Sequence, residues 1–421
     1  MLFVIDPALF DGAGAARQAW LAATLIALRA SYEGRLVVRC GDPVVEVPRL
    51  AREVNACGVH VSTETEPGGA DRDQRVRAAL AEASIDWIET GSPYAVTPGR
   101  VRKQDGSAFQ VFTPFSRAWR DHGWRGPAAE PPSLRLIDAP SDDQGWRRLE
   151  AATVQPGVPE LPDAGEQAGL HRWAAFRDEE LSAYQVNRDR FDLDATSRLS
   201  PYLKFGVVHP RTLLWDLRGD GSAGASRYVT ELAWREFYAD VLHHNPASEW
   251  DDLRPGLRHL SYDEDDGQVE AWRQGRTGYP VVDAGMRQLL AVGWMHNRAR
   301  MITASFLCKD LHVWWPVGAR HFLAHLIDGD PASNNHGWQW VAGTGTDAAP
   351  YYRVFNPTRQ GRRFDPLGDY VRRWIPELRH IEGPDVHEPW TLLGGLSHGY
   401  PEPIVDHDRE RAVALERLRS R

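Results

Sequence analysis

Short β-branched runs alternate with amphipathic stretches over residues 2–89, and no other feature of the chain limits the choice of fold as strongly. Four runs predict strands, at residues 2–6, 35–39, 58–62 and 85–89. The stretches between them have helical periodicity and predict helices at residues 15–31, 44–56 and 70–83. Because strands that alternate with helices pair in parallel, the pattern predicts a doubly wound parallel sheet of the α/β class.

A pair of glycines follows the first predicted strand, as in dinucleotide-binding folds. Gly12 and Gly14 lie in the turn, but Arg17 stands where that fingerprint requires glycine or alanine. The sequence therefore does not favour a dinucleotide site here.

A proline-rich polar stretch follows the α/β pattern. It predicts an interdomain linker at residues 126–165, between an α/β domain at residues 1–125 and a second domain at residues 166–421. Helical patterns fill the second domain almost throughout, with predicted loops at residues 245–266 and 344–364, so this domain is predicted to be all-α.

Bulk composition restricts the class of protein. With 421 residues and 42% hydrophobic content, the chain is long enough for two domains with full cores. The apolar stretch at residues 19–28 is too short to cross a membrane. Cys40, Cys57 and Cys308 lack the spacing of a zinc site or a disulfide framework, which predicts a cytoplasmic protein without bound metal. The net charge of -9 argues against nucleic-acid binding over the whole surface but allows a local basic groove.

Residues 328–340, with the sequence DGDPASNNHGWQW, combine two carboxylates, three amides and two indoles at the start of a predicted helix. Such a mixture is costly to bury without a bound partner. Trp338 and Trp340 differ by about 200° around a helix and are predicted to point to opposite sides. Core filling is the alternative for these tryptophans, but their polar neighbours favour a cofactor or nucleobase site.

Residues 196–200, with the sequence TSRLS, precede another predicted helix. Their hydroxyl and backbone N–H groups suit a pyrophosphate, and helix capping explains the same residues equally well.

Two sets of side chains are predicted to share helix faces. The first set is Glu231, Trp234 and Arg235, and the second is Asn297 with Met301. A salt-bridged surface helix is the alternative for the first set, and a methionine packed beside a capping amide is the alternative for the second.

Several motifs together resemble the photolyase and cryptochrome family. In chain order they are TSRLS at 196–200, YLKFG at 202–206, ELAWREFY at 231–238, GYPVVD at 278–283, GWMHNRARM at 293–301 and NNHGWQW at 334–340. The resemblance spans the helical half and is closest to microbial class I photolyases that repair cyclobutane pyrimidine dimers. It implies a light-driven DNA repair enzyme, a carbon–carbon lyase, whose helical domain holds FAD.

The resemblance also implies which residues bind FAD: Tyr184, Thr196, Ser197, Leu199, Ser200, Arg300, Asp328, Asp330 and Asn334. Arg300 is expected to neutralise Asp328. Asn334 would face flavin N5, where a neutral amide can accept from a protonated nitrogen or donate to an unprotonated one.

The partner implied by the resemblance is DNA that contains pyrimidine dimers, flipped out of the duplex into the protein. Catalytic roles fall to Glu231, Trp234, Asn297, Met301 and Trp340, with Trp234 and Trp340 enclosing the lesion. Phosphate contacts fall to Arg188, Arg235, Arg298 and Arg353.

A chain of aromatic residues is implied to re-reduce photo-oxidised flavin. Trp338 would be the first donor and Trp315 the second. Family members usually have a third tryptophan, and Tyr262 stands at that position here, with Trp314 as the alternative last step.

The chain departs from the family in two places. The family's first strand has no counterpart, because residues 1–7 resemble the second strand, so we expect the N-terminal sheet to lack its first strand. VFTPF at 111–115 keeps the family's antenna pattern, but Ser107 replaces the acid of folate-binding relatives. The antenna chromophore, a deazaflavin or a folate, is therefore left open.

A cryptochrome-type blue-light photoreceptor is the main alternative, since it would share FAD and the electron chain. The complete lesion set and Asn334 favour a photolyase. A (6-4) photoproduct enzyme would want histidines near positions 297 and 301, and no nicotinamide-binding signature supports a light-independent oxidoreductase. Family habit predicts a monomer.

Overall fold

The computed structural model describes residues 1–129, 133, 135–139, 141–254, 261–346 and 352–420. They fall into two compact units. Unit 1 is Met1–Glu179 with Ser197–Pro246, and unit 2 is Glu180–Thr196 with Ala247–Arg421. Parts of the predicted linker, at residues 130–132, 134 and 140, lie outside the described residues, as do 255–260 and 347–351 of the predicted loops. The predicted domains at 1–125 and 166–421, with their linker, stay predictions.

Four short strands in unit 1 confirm the parallel pattern read from the sequence. They are β1 (Leu2–Ile5), β2 (Val37–Cys40), β3 (Gly58–Val61) and β4 (Asp86–Glu89). β1 pairs in parallel with β2, and β3 pairs in parallel with β4. Each strand lies within two residues of its predicted position, because β-branched runs bounded by turns report strands well.

The strands form two separate pairs instead of one continuous sheet within the described residues. Parallel strands are normally buried on both faces, yet Leu2, Phe3 and Val4 of β1 are only half-buried. Separate apolar clusters pack beside the two pairs, one around Val38 and one around Leu80. The expectation that the sheet lacks the family's first strand stays a prediction.

Helices make up most of the remaining structure. In chain order they are α1 (Pro7–Phe10), α2 (Ala15–Ser31), α3 (Pro43–Glu53), α4 (Pro67–Glu82), α5 (Phe112–His122), α6 (Asp143–Thr153), α7 (Glu166–Glu179), α8 (Tyr184–Asn187), α9 (Ser200–Lys204), α10 (Pro210–Asp216), α11 (Ala223–His244), α12 (Asp266–Arg273), α13 (Pro280–Val292), α14 (Asn297–Lys309), α15 (Trp315–His325), α16 (Pro331–Ala342), α17 (Pro357–Phe364), α18 (Asp369–Trp374) and α19 (His407–Arg419). The first three predicted helices are confirmed as α2, α3 and α4.

Two helices lie where the sequence pattern predicted irregular chain. In the predicted linker, Asp142 accepts a hydrogen bond from the Gln144 amide to begin α6, and α6 buries the side chains of Trp146 and Leu149. In the predicted loop at 344–364, Asn356 caps α17 by accepting from the Arg359 amide. Both helices are short, so flanking prolines and polar residues hid their apolar stripes.

A buried acid fixes α11, the helix that carries Glu231 and Trp234. Glu236 accepts hydrogen bonds from the backbone amides of Ala95 and Val96 and from the indole of Trp119. Burial outweighs these donors and raises the pKa of Glu236 to about 7. Three N–H groups from two segments, residues 95–96 and α5, thus fix the rotation of α11 about its axis.

The core of unit 2 is aromatic and surrounds α14, α15 and α16. Trp272, Trp315 and Phe322 are at most 1% exposed, and Trp338 is 3% exposed. None of the described helices is both long enough and apolar enough to cross a membrane.

Candidate functional site

Two buried aspartates, Asp328 and Asp330, lie at the start of α16 in unit 2. Asp330 caps α16 by accepting from the Ser333 amide at 2.7 Å. Asp328 lies just before it and pairs with Arg300, with 2.7 Å between Arg300 Nη2 and Asp328 Oδ2. Both aspartates are less than 10% exposed. The predicted neutralisation of Asp328 by Arg300 is thus present in the structure.

The Asn334 amide has one orientation because its nitrogen has two acceptors. Asn334 Nδ2 donates to the Ala319 carbonyl at 3.2 Å and to Asn335 Oδ1 at 2.8 Å. Asn335 in turn donates to the Glu249 carbonyl, so its Oδ1 is an acceptor. Reversing the Asn334 amide would bring oxygen against oxygen twice. Its Oδ1 is therefore the atom that it offers to a ligand.

The two tryptophans of α16 lie in different surroundings, as their spacing predicts. The Trp338 ring packs edge-to-face against Phe322, with 4.9 Å between centroids, and against Trp272, with 6.1 Å. Trp340 is only half-buried, and the Arg353 guanidinium lies 5.2 Å from its ring centroid. One indole belongs to the aromatic core, and the other lies beside a cation.

Three indole N–H groups of the aromatic core differ in their hydrogen-bond acceptors. Trp315 Nε1 donates to the buried carboxylate of Asp252, at 2.7 Å from Oδ1. Trp272 Nε1 donates to the Thr303 carbonyl at 3.0 Å. Trp338 Nε1 is buried and has no acceptor within the described part of the chain.

Tyr262, the predicted third donor, lies in the same electrostatic neighbourhood. Burial raises its pKa above the ordinary tyrosine value, and the charge of Asp252 raises it further. The phenol therefore keeps its proton at any physiological pH.

Two of the predicted lesion-binding residues lie together at the start of α14. Asn297 Nδ2 is 3.8 Å from the sulfur of Met301, one helical turn later. His296 caps the helix by accepting from the Arg298 amide at 3.1 Å, and burial lowers the pKa of His296 to about 3. The capping imidazole is therefore neutral, which suits an acceptor at a helix N-terminus.

Two predicted DNA-binding arginines share an acidic partner in unit 2. Arg298 Nη2 lies 2.9 Å from Asp189 Oδ2, and Arg188 Nε lies 3.5 Å from Asp189 Oδ1. Burial alone would raise the pKa of the Asp189 carboxyl, but the charges of Arg298 and Arg188 outweigh burial and lower it. Asp189 thus holds two guanidinium groups in one place.

The predicted lesion residues of unit 1 lie on α11. Glu231 Oε1 is 2.6 Å from Arg227 Nη2, one turn earlier on the helix. Trp234 stacks face-to-face on Phe112, with 3.6 Å between centroids. One face of the Trp234 ring is therefore covered by Phe112 and is closed to a base.

Arg235 has protein partners of its own. Its guanidinium donates to the carbonyls of Pro93 at 3.0 Å and Leu203 at 3.1 Å, and it lies 4.4 Å from the Tyr94 ring centroid. A DNA contact by Arg235 stays a prediction, and fewer of its donors are available for it.

The TSRLS segment leads into α9 without a side-chain cap at the N-cap residue, Leu199. Ser197 Oγ instead accepts from the Tyr228 hydroxyl at 3.0 Å and from the Leu199 amide at 3.4 Å. Arg198 has a φ of 51°, a left-handed conformation that costs energy in a residue other than glycine. Leu199 therefore does not cap α9 with its side chain, and a strained loop is typical of ligand-binding segments.

Sequence reasoning missed several residues that contact predicted site residues, and three of them are instructive. Asp189 and Phe112 contact Arg298 and Trp234, and Asp252 contacts Trp315. Asp189 could have been found, because it follows Arg188 directly. Asp252 lies 63 residues before its partner Trp315, and no local sequence pattern predicts this contact.

Family models match most of the chain. The model described as FAD binding domain of DNA photolyase matches residues 228–420, and the model described as DNA photolyase matches residues 1–133. The chain belongs to the photolyase and cryptochrome family. Its FAD-binding domain contains α16 and the aromatic core around Trp338.

Curated relatives in this family have the name deoxyribodipyrimidine photo-lyase. The protein from Streptomyces griseus is 45% identical over 410 residues, covering 95% of this chain and 88% of the relative. The protein from Halobacterium salinarum is 38% identical over 447 residues, covering 99% and 91%. These relatives confirm the predicted enzyme class, a photo-lyase.

Solved structures of a photolyase and a cryptochrome are similar to nearly the whole chain. A bacterial class III photolyase from Agrobacterium tumefaciens has a TM-score of 0.90 and 34% identity, covering all of this chain and 91% of that chain. A Synechocystis cryptochrome has a TM-score of 0.85 and 26% identity, covering 99% and 92%. The predicted fold class, an α/β N-terminal domain followed by a helical FAD-binding domain, is confirmed. The roles of single site residues stay predictions.

Proposed function

We propose that this photolyase-family protein repairs cyclobutane pyrimidine dimers in DNA by light-driven electron transfer from reduced FAD to a flipped-out lesion. One observation carries the proposal furthest. α16 presents the acceptor oxygen of Asn334, a core indole at Trp338 and a half-buried indole at Trp340 beside Arg353. A single helix thus offers groups for a flavin, an electron route and a base in an anionic ligand.

The side chains at the start of α16 fit a reduced flavin. Bound FAD supplies the photoexcited electron donor. Asn334 offers Oδ1, an acceptor suited to a protonated ring nitrogen such as N5, because its nitrogen donates within the protein. We infer that the cofactor-binding set is the one implied by the resemblance: Tyr184, Thr196, Ser197, Leu199, Ser200, Arg300, Asp328, Asp330 and Asn334.

The lesion-binding residues would contact the two linked pyrimidines of a dimer. Trp340 of unit 2 and Trp234 of unit 1 would each supply an indole for stacking, which is worth about 1–3 kcal/mol per base. Glu231 supplies a carboxylate that can accept from the imide groups of the dimer, and Asn297 with Met301 completes the set. Extrusion of a damaged step costs only a few kcal/mol, because its stacking is already poor.

Basic side chains would hold the DNA backbone. Arg188 and Arg298, fixed by Asp189, and Arg353 beside Trp340 are the arginines whose placement in unit 2 supports phosphate contacts. Arg235 completes the predicted set. The net charge of -9 makes such a local cluster necessary for binding DNA.

The decisive experiment is direct repair. Purified protein is loaded with FAD, reduced chemically and illuminated with blue light in the presence of an oligonucleotide that contains a thymine dimer. We expect the thymine absorbance to return only with light, FAD and protein together. A protein that binds FAD but leaves the dimers closed would instead support the cryptochrome-type alternative, which the Synechocystis likeness keeps in view.

A second chromophore is a further part of the proposal. The solved archaeal relative from Sulfolobus tokodaii, with a TM-score of 0.85 and 27% identity, is described as holding two FAD molecules with an implied novel light-harvesting cofactor. We propose that this chain also binds an antenna pigment, a deazaflavin or a folate, and acts as a cytoplasmic monomer. Mass spectrometry of pigment released from the native protein tests the first point.

A further inference from the structure

The aromatic core of unit 2 contains an asymmetry that the proposed repair reaction does not use. Trp338 and Trp315 both have buried indole N–H groups, but only that of Trp315 has a carboxylate partner, Asp252. Trp272, which also contacts Trp338, donates to a backbone carbonyl. A carboxylate can accept a proton, and a peptide carbonyl cannot in this pH range.

We propose that Asp252 is the proton acceptor that traps the oxidised state on Trp315 during photoreduction of the flavin. The inference rests on the proposed function, since the oxidant is the photoexcited oxidised form of the FAD that the proposed repair reaction needs in its reduced form. Asp252 is 4% exposed, so water does not compete strongly for the indole proton.

Each step balances in electrons and protons. Trp338 gives one electron to the flavin and becomes a radical cation. Trp338 Nε1 has no acceptor within the described part of the chain, so that cation keeps its proton. Trp315 then gives one electron to Trp338, and the proton on Trp315 Nε1 moves across the 2.7 Å hydrogen bond to Asp252 Oδ1. The products are a closed-shell Trp338, a neutral Trp315 radical and a carboxylic acid at Asp252.

The packing of α15 against Trp338 supports this route. Gly318 lies three residues after Trp315, on the same side of the helix, and its backbone contacts the Trp338 ring so closely that a Cβ would lie 2.6 Å from Trp338 Cζ3. Trp272 contacts Trp338 as well, with 6.1 Å between centroids, so distance alone does not exclude it. The carboxylate distinguishes the two routes, because it favours a positive charge on Trp315 over one on Trp272.

Tyr262 is the next residue that this arrangement affects. Its phenol keeps its proton because of burial and the charge of Asp252. Once Asp252 has accepted a proton, that charge is neutralised and the carboxyl group can no longer act as a base for Tyr262. Oxidation of Tyr262 is therefore expected to be slower than the Trp315 step, and the trapped state is expected to remain on Trp315.

The test is Asp252→Asn in the full-length protein with bound FAD. Asparagine keeps an oxygen that accepts from Trp315 Nε1 but cannot take a proton. The matched control is Asp251→Asn, the same change at the adjacent exposed residue. Transient absorption after a laser flash distinguishes the tryptophan radical cation from the neutral radical, and Trp315→Phe identifies which signals belong to Trp315.

We expect the wild-type protein and Asp251→Asn to convert the cation into the neutral radical, with slower conversion in heavy water. In Asp252→Asn the neutral-radical band should be lost, the heavy-water effect should vanish, and the cation should disappear by charge recombination. Asp252→Glu should restore part of the neutral-radical band. A neutral Trp315 radical that forms equally fast in Asp252→Asn would overturn the proposal.

A purely structural role for Asp252 gives a different result. The indole ¹⁵N–¹H resonance of Trp315, assigned with Trp315→Phe, reports the hydrogen bond without any light reaction. We expect Asp252→Asn to keep a hydrogen-bonded resonance position while losing the neutral radical. If the resonance moves to the position of a free indole, the Asn variant has broken the hydrogen bond, and Asp252→Glu then decides the proposal. Restoration of both the hydrogen-bonded resonance and the neutral-radical band supports it. A failure to restore the neutral-radical band overturns it.

Failure of the proposed function is recognisable separately. Repair of dimers by chemically pre-reduced wild-type protein tests the function without the tryptophan chain. If the wild type repairs dimers and shows a Trp315 cation that never deprotonates, the inference about Asp252 is wrong and the function stands. If pre-reduced wild type leaves the dimers closed while Trp315 deprotonates to Asp252, the function is wrong and the proton transfer stands.

Discussion

Gly318 is the position on α15 where the Trp338 ring lies against the helix backbone. A methyl group there would lie closest to Trp338 Cη2, and 2.6 Å from both Trp338 Cζ3 and Leu307 Cδ2, whereas carbon atoms normally approach to about 3.5–4.0 Å. Two buried side chains must therefore move by about 1 Å or more in a core where Trp338 is 3% exposed and Leu307 is fully buried.

The size of the effect follows from two opposed contributions. Overpacking of this kind costs about 1–3 kcal/mol, and the upper half of that range applies because both neighbours are buried. Alanine gains about 1 kcal/mol over glycine in a helix interior. We therefore expect Gly318→Ala to lower the free energy of unfolding by about 1–2 kcal/mol, and to displace Trp338 from its contacts with Phe322 and Trp272.

Denaturant unfolding followed by tryptophan fluorescence measures the loss, and near-UV circular dichroism reports the displaced indole. Gly68→Ala is the matched control, because Gly68 is exposed on α4 and nothing lies within 4 Å of its added methyl group. The control should be at least as stable as the wild type, because alanine is favoured over glycine in a helix and its methyl group meets no neighbour. If Gly318→Ala unfolds at the wild-type midpoint with an unchanged near-UV spectrum, the close approach of Trp338 to α15 is wrong.

Three further predictions concern the lesion, the DNA and pH. Glu231→Gln should lower the quantum yield of repair more than the affinity for damaged DNA, because the carboxylate acts on the dimer after binding; equal losses of both would contradict this. Arg298→Gln should reduce the slope of log affinity against log salt concentration by about 1, whereas Arg409→Gln on exposed α19 should leave it unchanged. Burial lowers the pKa of His336 from 6.5 to about 4, so the unfolded chain takes up a proton before the folded protein does as pH falls. This difference should lower the free energy of unfolding by up to about 3 kcal/mol between pH 6.5 and 4. In urea titrations, the free energy of unfolding of His336→Gln should therefore depend less on pH than that of the wild type. An equal pH dependence in both proteins would contradict the lowered pKa of His336.

Features that depend on neighbours in the sequence were predicted well. The four strands follow from β-branched runs. The different surroundings of Trp338 and Trp340 follow from helical geometry alone. Arg300 and Asp328 were paired correctly because each needs an opposite charge when buried. In each case the cause lies within one element or in a general rule about buried charge.

Features that depend on tertiary contacts were not predicted. Helix α6 is stabilised by burying Trp146 and Leu149 against the apolar cluster around Val38, which a window of polar residues and prolines does not reveal. The contacts of Arg235 with two backbone carbonyls depend on where residues 93 and 203 lie in the fold. The sequence of a motif does not distinguish an arginine that binds a phosphate from one that binds a backbone carbonyl.

The family motifs contain the groups that we propose to contact the flavin and the lesion, whereas the direction of electron flow is proposed to depend on a group outside them. The indoles of Trp338, Trp315 and Trp272 are chemically alike, so what distinguishes them is what each N–H meets: no described acceptor, a carboxylate, or a carbonyl. Asp252 lies in none of the motifs and belongs to a loop whose position is fixed only by folding. Relatives that keep all three tryptophans but lack an acid at this place should therefore form the Trp315 radical as a cation and lose it faster by charge recombination.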